Sequence, residues 1–398
     1  MQWEPKPIPN DEAIKLLQSQ IGISRNTSII LAQRGINNYH TAKSFFRPKF
    51  NNLHNPFLMK DMKAATDRIK EAINNKEKIL IYGDYDVDGV ASTALLTNFL
   101  RQRTNNIFPY IPDRGTEGYG VSVNGIKKGI KKQVSLIISI DCGIKALKEV
   151  EYAKKNNIDF IICDHHLPES EIPNAIAVLD PKRVDCKYPF KELCGCGIGF
   201  KLIQALSLEW GIDTQQLINY LDLVSLATVA DQVPMYDENR IITYLGLEQI
   251  NKNPRPGIKA LLSDFKGDEI STSTLVFKLS PKVNAAGRMR HATLALELLM
   301  CEKLEHTVNL SEQINSINIE RQEEDKKTTE EALIQIKHKE EESFSSTLVH
   351  NDNWHPGIIG IVASRLIEKY YRPTIVLTKK GQYYIGSARS INGFDIYK

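Results

Sequence analysis

The sequence predicts an α/β fold: a domain built on a parallel sheet, joined by a long helix to a smaller, incomplete α/β region. Three observations carry this expectation. Short apolar runs at residues 79–82, 134–140, 158–163 and 176–179 alternate with helical segments, the pattern of strands buried in a parallel sheet. Residues 302–342 are rich in Glu, Lys and Gln but set Leu310, Ile314, Ile317, Leu333 and Ile336 at helical spacing, as a long exposed helix between two domains does. From Ser345 a second α/β pattern starts, with strands at 347–349, 374–378 and 383–387 and a helix at 360–370. It covers only about fifty residues, small for an independent domain.

A chain of 398 residues fits two or three domains better than one. Hydrophobic residues at 42% and charged residues at 25% suit sizeable cores under an ordinary soluble surface. The formal charge of +3 neither establishes nor opposes a nucleic-acid partner, because an acidic site can mask basic patches elsewhere. The opening Met1-Gln2-Trp3-Glu4-Pro5 has no apolar signal-peptide core, and no run approaches the roughly 18 apolar residues of a membrane helix. Cys142, Cys163, Cys186, Cys194, Cys196 and Cys301 make no disulfide framework for a chain this long, so a reducing cytoplasm is the expected compartment.

Taken in order, Ala13, Leu16, Leu17 and Ile21 have helical spacing, and Pro48 and Pro56 punctuate the stretch after them. Met62, Ala65, Ile69 and Ile73 share one face of a helix over 61–73 that leads into the first strand. That strand, 79–82, ends at Gly83 and opens into Asp84, Asp86 and Asp88. Alternate side chains of an extended segment share a face, so the three carboxylates are expected to point the same way. Their repulsion calls for a cation between them. With no Lys or Arg in the segment, a divalent metal is the simplest one. A solvated acidic turn capping a helix over 91–100 is the plainer alternative.

The later strands also end in polar residues. The run 107–111 meets Pro112-Asp113-Arg114, 134–140 meets Asp141-Cys142-Gly143, 158–163 meets Asp164-His165-His166, and 176–179 meets Asp180-Pro181. Ligands of parallel sheets gather at such carboxyl ends. Apolar helices over 202–208 and 217–230 come next, the second closing on Asp231. A metal, a buried ion pair or a capping hydrogen bond would each satisfy that aspartate.

Asp84, Asp86, Asp88, Asp141, His165, His166 and Asp231 make an oxygen-rich set with imidazole, suited to Mn²⁺ or Mg²⁺ more than to structural zinc. The acidic groups outnumber the needs of one ion. Two ions would use them, with Asp141 bridging, an activated hydroxide as nucleophile and a phosphoryl group as target. Phosphoester hydrolysis is the natural reaction. Cys194-Gly195-Cys196, with Cys186 nearby, matches no common zinc spacing. Asn284-Ala285-Ala286-Gly287-Arg288 and Gly386-Ser387-Ala388-Arg389-Ser390 combine guanidinium groups with small residues and hydroxyls, a good phosphate clamp, to which Arg114 adds a third guanidinium.

Gly83-Asp84-Tyr85-Asp86-Val87-Asp88-Gly89, Ser139-Ile140-Asp141-Cys142-Gly143, Asp164-His165-His166 and Thr228-Val229-Ala230-Asp231 resemble the four ordered motifs of the DHH phosphoesterase family. Ile111-Pro112-Asp113-Arg114, Glu117-Gly118-Tyr119-Gly120, Tyr188-Pro189-Phe190-Lys191, the Asn284–Arg288 and Gly386–Ser390 stretches, and His355-Pro356-Gly357 narrow the likeness to RecJ-type single-stranded-DNA exonucleases. The resemblance implies 5′→3′ degradation of single-stranded DNA to mononucleotides with Mn²⁺ or Mg²⁺, in DNA repair and recombination. It implies metal ligation by Asp84, Asp86, Asp88, Asp141, His165 and Asp231, with His166 supporting catalysis beside Asp141. Arg114, Ser387 and Arg389 would bind a 5′ phosphate, Arg288 the scissile region, and Tyr119 would also contact substrate. The implied setting is a cytoplasmic monomer, off the membrane, working beside single-strand-binding protein and a helicase.

The resemblance also implies a division into a helical lead-in at 1–75, a DHH catalytic domain at 76–300, a connecting helix at 301–343 and a partial DHHA1-type domain at 344–398. The chain departs from the family in places. Ala227 stands where Gly is usual, and Cys194 and Cys196 where small apolar residues are common. Family members continue past Arg389 with a Gly-Gly-His segment and usually an OB-type barrel, so the chain is expected to be C-terminally truncated, with an intact metal site and a weaker grip on DNA. The same superfamily supplies two rivals. One is a phosphodiesterase for oligoribonucleotides, cyclic dinucleotides or pyrophosphate; the other is a non-catalytic scaffold, against which every filled ligand position argues.

Overall fold

The computed structural model describes residues 4–338 and 344–397. The end of the expected connecting helix, residues 339–343, lies outside the described residues, as do Met1-Gln2-Trp3 and Lys398.

Strands β1 (Ile79–Tyr82), β2 (Ile107–Tyr110), β3 (Leu136–Ile140), β4 (Asp159–Cys163) and β5 (Ala177–Leu179) form a parallel sheet in the order β2-β1-β3-β4-β5. Both faces are covered. Ile79, Ile81, Leu136, Ile138, Ile140, Ile161 and Leu179 enter one core, with helices Met62–Asn74, Val87–Arg101, Gly195–Trp210 and Leu221–Ala230 against them. Leu80, Tyr82, Ile137, Phe160, Ile162 and Val178 enter the other, under Val123–Lys132 and Leu147–Lys155. Burial on both sides is why these strands read as unbroken apolar runs rather than alternating ones. From β1 the chain steps to β2 on one side, then crosses back to place β3 on the other. Such a switch opens a crevice at the carboxyl ends of the two strands where the order reverses, which is where Asp84 and Asp141 emerge.

Helix Leu304–His338 runs about 50 Å at 1.5 Å per residue. Its Ile314 packs into the first core, while Ala332 and Ile336 join a separate cluster with Val349, Trp354, Ile358, Val362 and Val376. Trp354 Nε1 donates to Glu331 Oε2 on the same helix at 2.7 Å. One rigid rod is therefore rooted in both cores, and its polar exposed face accounts for its composition. The second cluster belongs to a sheet of β6 (Thr347–His350), β7 (Thr374–Lys380) and β8 (Tyr383–Arg389), parallel between β6 and β7 and antiparallel between β7 and β8. N-terminal helices Asp11–Ile21, Arg25–Ala32 and Tyr39–Phe46 hold a small cluster of their own around Leu17, Leu31 and Ile36.

Two local expectations need correction. The helix expected over 217–230 is two helices, Thr214–Ile218 and Leu221–Ala230. Tyr220 is pinned at the break, its hydroxyl accepting from Gln102 Nε2 at 2.9 Å and its ring set edge-on to Phe99. The helix expected from residue 91 starts at Val87, because Asp86 caps it. All six cysteines are free.

Candidate active site

Residues Asp84 to Asp88 do not stay extended. Asp86 accepts from Gly89 N at 3.1 Å as the N-cap of helix Val87–Arg101, and Asp88 falls in its first turn. A helix start offers unpaired N–H groups that a carboxylate satisfies, and this overrides the extended geometry expected from the alternation. The carboxylates still converge, by a strand–turn–helix path. Three groups form with possible ligand atoms mutually within 4.8 Å: Asp84, Asp86 and Asp141; Asp88, His165 and Asp231; Asp141, His165 and His166.

Distant backbone fixes these side chains. Gly195 N and Cys196 N each donate to Asp88 at 2.7 Å, so the N-terminus of helix Gly195–Trp210 holds that carboxylate. The helix comes this close because residue 195 is glycine: a Cβ there would lie 2.6 Å from the Asp141 Cβ. Asp141 itself has a φ of 62°, a left-handed backbone that costs a non-glycine residue roughly 1–2 kcal/mol and persists where packing dictates it. The neighbouring thiols serve structure. Cys194 and Cys196 are buried, Cys194 Sγ accepts from Gly197 N at 3.4 Å, and among the described residues no cysteine joins a metal-type group.

The histidines differ. His165 is buried, with Nε2 at 3.1 Å from Asp141 and 3.9 Å from Asp88, and Nδ1 at 3.7 Å from Asp231. Burial, helped by the His166 charge, lowers its pKa to about 4, so it presents a neutral imidazole. His166 places Nδ1 at 2.7 Å from Asp164 Oδ1, and that hydrogen bond raises its pKa. Its Nε2 meets the Tyr119 hydroxyl at 3.0 Å, and the same hydroxyl approaches the Asp141 carbonyl at 3.4 Å. Asp164 also accepts from Ile144 N, His165 N and His166 N at 2.7–3.1 Å. Burial works against its charge, yet the His166 bond and these amides hold its pKa below the ordinary value. Asp164 is thus the organiser of the histidine pair, a role its position in the motif did not reveal.

The remaining carboxylates lack such support. Asp84 is 1% exposed and neither of its oxygens has a hydrogen-bond partner. Burial, then the Asp86 charge, raises it to about 8. Burial and the charges of Asp231 and Asp86 raise Asp88 to about 8, burial and Asp86 bring Asp231 to about 6, and Asp141 lies well above the carboxylate range. Buried carboxylates without partners are costly and rare. A divalent cation removes that cost, and the donor set of carboxylate oxygens with a neutral imidazole suits Mn²⁺ or Mg²⁺.

A cleft of about 830 Å³ separates this cluster from the C-terminal sheet, with Arg114, Arg288, Gly357, Ser387 and Arg389 along it. Arg114 lies over the Tyr85 ring at 5.1 Å. Arg288 Nη1 donates to Gly357 O at 3.3 Å; burial, then Arg114 and Arg321, lowers its pKa to about 10. Gly287 brings that segment against the site, since a Cβ there would fall 2.3 Å from Tyr85 O. Arg389 Nε donates to Ser364 Oγ at 3.1 Å, and Lys380 Nζ reaches Gly115 O across the cleft. Tyr119 stands with the histidines rather than in this cleft. Arg321 was not anticipated. It comes from helix Leu304–His338 to line a small pocket with Arg288, Asn284 and Gln232, a place no charge-rich helical sequence announces.

Residues 78–228 match the family described as DHH family, N-terminal domain, and residues 343–398 match the DHHA1 domain. The single-stranded-DNA-specific exonuclease RecJ of Bacillus subtilis (strain 168) is 41% identical over 404 residues, taking in 100% of this chain and 50% of that protein. RecJ of Salmonella typhimurium is 36% identical over 346 residues, 83% of this chain and 60% of the relative. Among solved structures, Thermus thermophilus RecJ in complex with Mn²⁺ superposes with a TM-score of 0.83 at 24% identity, covering 97% of this chain and 55% of that one. An exonuclease RecJ bound to manganese gives 0.76 at 28% identity, covering 85% and 84%. The chain spans about half the length of its Bacillus subtilis relative.

Proposed function

The chain belongs to the RecJ-type group of the DHH family, and from that premise we propose that it hydrolyses single-stranded DNA from the 5′ end to mononucleotides with two Mn²⁺ or Mg²⁺ ions. The observation that carries this reading is a buried cluster of carboxylates without partners beside a cleft lined by guanidinium groups. Asp84, Asp86, Asp88, Asp141, His165 and Asp231 would hold the ions, with Asp141 between them because it belongs to two of the three ligand groups. When bound, the ions supply Lewis-acid activation of water and neutralise charge on the phosphoryl group. His166, aligned by Asp164 and Tyr119, keeps a proton at Nε2 for the leaving 3′ oxygen. Arg114, Ser387 and Arg389 take the 5′ phosphate and Arg288 the scissile region, with guanidinium forks suited to phosphate oxygens.

This function divides the chain into the lead-in at 1–75, the catalytic domain at 76–300, the connector at 301–343 and the DHHA1-type region at 344–398. The enzyme would act as a cytoplasmic monomer in DNA repair and recombination, beside single-strand-binding protein and a helicase. Six free cysteines suit a reducing compartment, and no described helix is long and apolar enough to cross a membrane.

The test uses 5′-phosphorylated single-stranded DNA labelled at one end or the other, with Mn²⁺ and with EDTA as control. Early release of 5′-labelled mononucleotide is expected. Inert DNA with rapid turnover of dinucleotides or pyrophosphate would replace this reading with a small-substrate phosphodiesterase.

A further inference from the structure

A second cavity adjoins the carboxylate cluster, and none of the roles above uses it. It measures about 590 Å³, within the roughly 300–1,000 Å³ of small-molecule sites. It opens on the His165–His166 side of the cluster, whereas the guanidinium cleft opens on the Arg114–Arg288 side. Tyr119, Ile144 and Leu167 give it apolar walls, His166 stands at its border, and Lys145 and Lys182 bring ammonium groups to it. Leu167 is 73% exposed and Tyr119 55%. Large apolar side chains left open beside a charged centre are the wall of a site awaiting an apolar ligand surface.

The ring of Tyr119 stands edge-on to His166, centroids 5.8 Å apart. A flat group placed on Tyr119 therefore lies next to the proton at His166 Nε2. Lys182 is close enough for its charge to act on both His165 and Asp231, and Lys145 is held only by an exposed contact with Glu169 at 3.5 Å. Apolar and aromatic walls with ammonium groups nearby match a nucleotide, which joins a planar base to an anionic backbone. One loop connects the two openings: residues 113–115 line the guanidinium cleft and residues 119–121 line this cavity.

We propose that this cavity is a nucleobase subsite, receiving the base of the terminal nucleotide while its 5′ phosphate rests among Arg114, Arg288 and Arg389. The assignment rests on the exonuclease reading and adds where the released nucleotide is gripped. It makes the terminal base a contributor to binding, where phosphate recognition alone would be indifferent to it.

Equilibrium calorimetry with Mn²⁺ present tests this without turnover. Wild type and Leu167→Asp are each titrated with deoxyadenosine 5′-monophosphate and with deoxyribose 5-phosphate, which lacks the base. Leu167 is exposed enough for the substitution to leave folding intact, and Leu167→Ala serves as the milder second variant. Wild type is expected to bind the nucleotide about tenfold more tightly than the sugar phosphate, a ratio that Leu167→Asp brings towards one and Leu167→Ala reduces. Equal binding of both ligands by wild type, or a ratio unmoved by either variant, overturns the subsite. A wrong exonuclease reading would show separately, as labelled DNA left uncut.

Discussion

Replacing Asp84 by Asn should make the metal-free protein more stable. Asp84 is buried without a hydrogen-bond partner, and burial followed by the Asp86 charge raises its pKa from 3.8 to about 8. A carboxyl whose folded value exceeds its unfolded one carries no penalty below the unfolded value and loses stability as pH rises through the folded value. Metal-free wild type should therefore weaken steadily between pH 5 and pH 9. At pH 7 the gap above 3.8 is about three pH units, and at about 1.4 kcal/mol each the cost is about 4 kcal/mol. The asparagine removes that charge but buries an amide without partners, which returns about 1–3 kcal/mol of cost. A net gain of about 2 kcal/mol is expected at pH 7, more at pH 9, and near equality at pH 5. Urea denaturation in EDTA at the three pH values measures it. Added Mn²⁺ should stabilise wild type strongly and Asp84→Asn little. A variant no more stable than wild type at pH 9 in EDTA, or equal stabilisation of both by Mn²⁺, would refute the reasoning.

Gly195→Ala inserts a methyl 2.6 Å from the Asp141 Cβ, so Mn²⁺ affinity should fall about 10–100-fold in a titration while the helical circular dichroism is unchanged. Lys201 and Glu238 are both fully buried and paired at 2.9 Å, with the Tyr188 hydroxyl donating to the same carboxylate. Lys201→Met should cost about 3–5 kcal/mol in urea denaturation, and adding Glu238→Leu should recover most of it. Arg114→Ala should reduce the preference for 5′-phosphorylated over 5′-hydroxyl strands about tenfold in kcat/KM, since a charge-assisted hydrogen bond is worth about 1.5–3 kcal/mol; an unchanged ratio would remove Arg114 from the phosphate site.

The sequence by itself determined the parallel sheet and the edge where its polar residues gather. Strand and helix periodicities are local properties of backbone geometry, so the apolar runs ending in Asp84, Asp141 and Asp164 were legible without any contact being known. The long helix was legible for the same reason, from Ile314 to Ile336. Which atoms meet was not. Asp88 is held by amides 107 and 108 residues away, at a helix start whose cysteines suggested metal chemistry and instead supply packing and a cap. Asp164 organises the two histidines through three amides delivered by its own turn and by Ile144. Arg321 reaches the site only because the connecting helix is rooted in both cores. Spacing along a chain reports which face a residue occupies; its partners across a hundred residues are set by how the layers pack, and only the tertiary structure decided those.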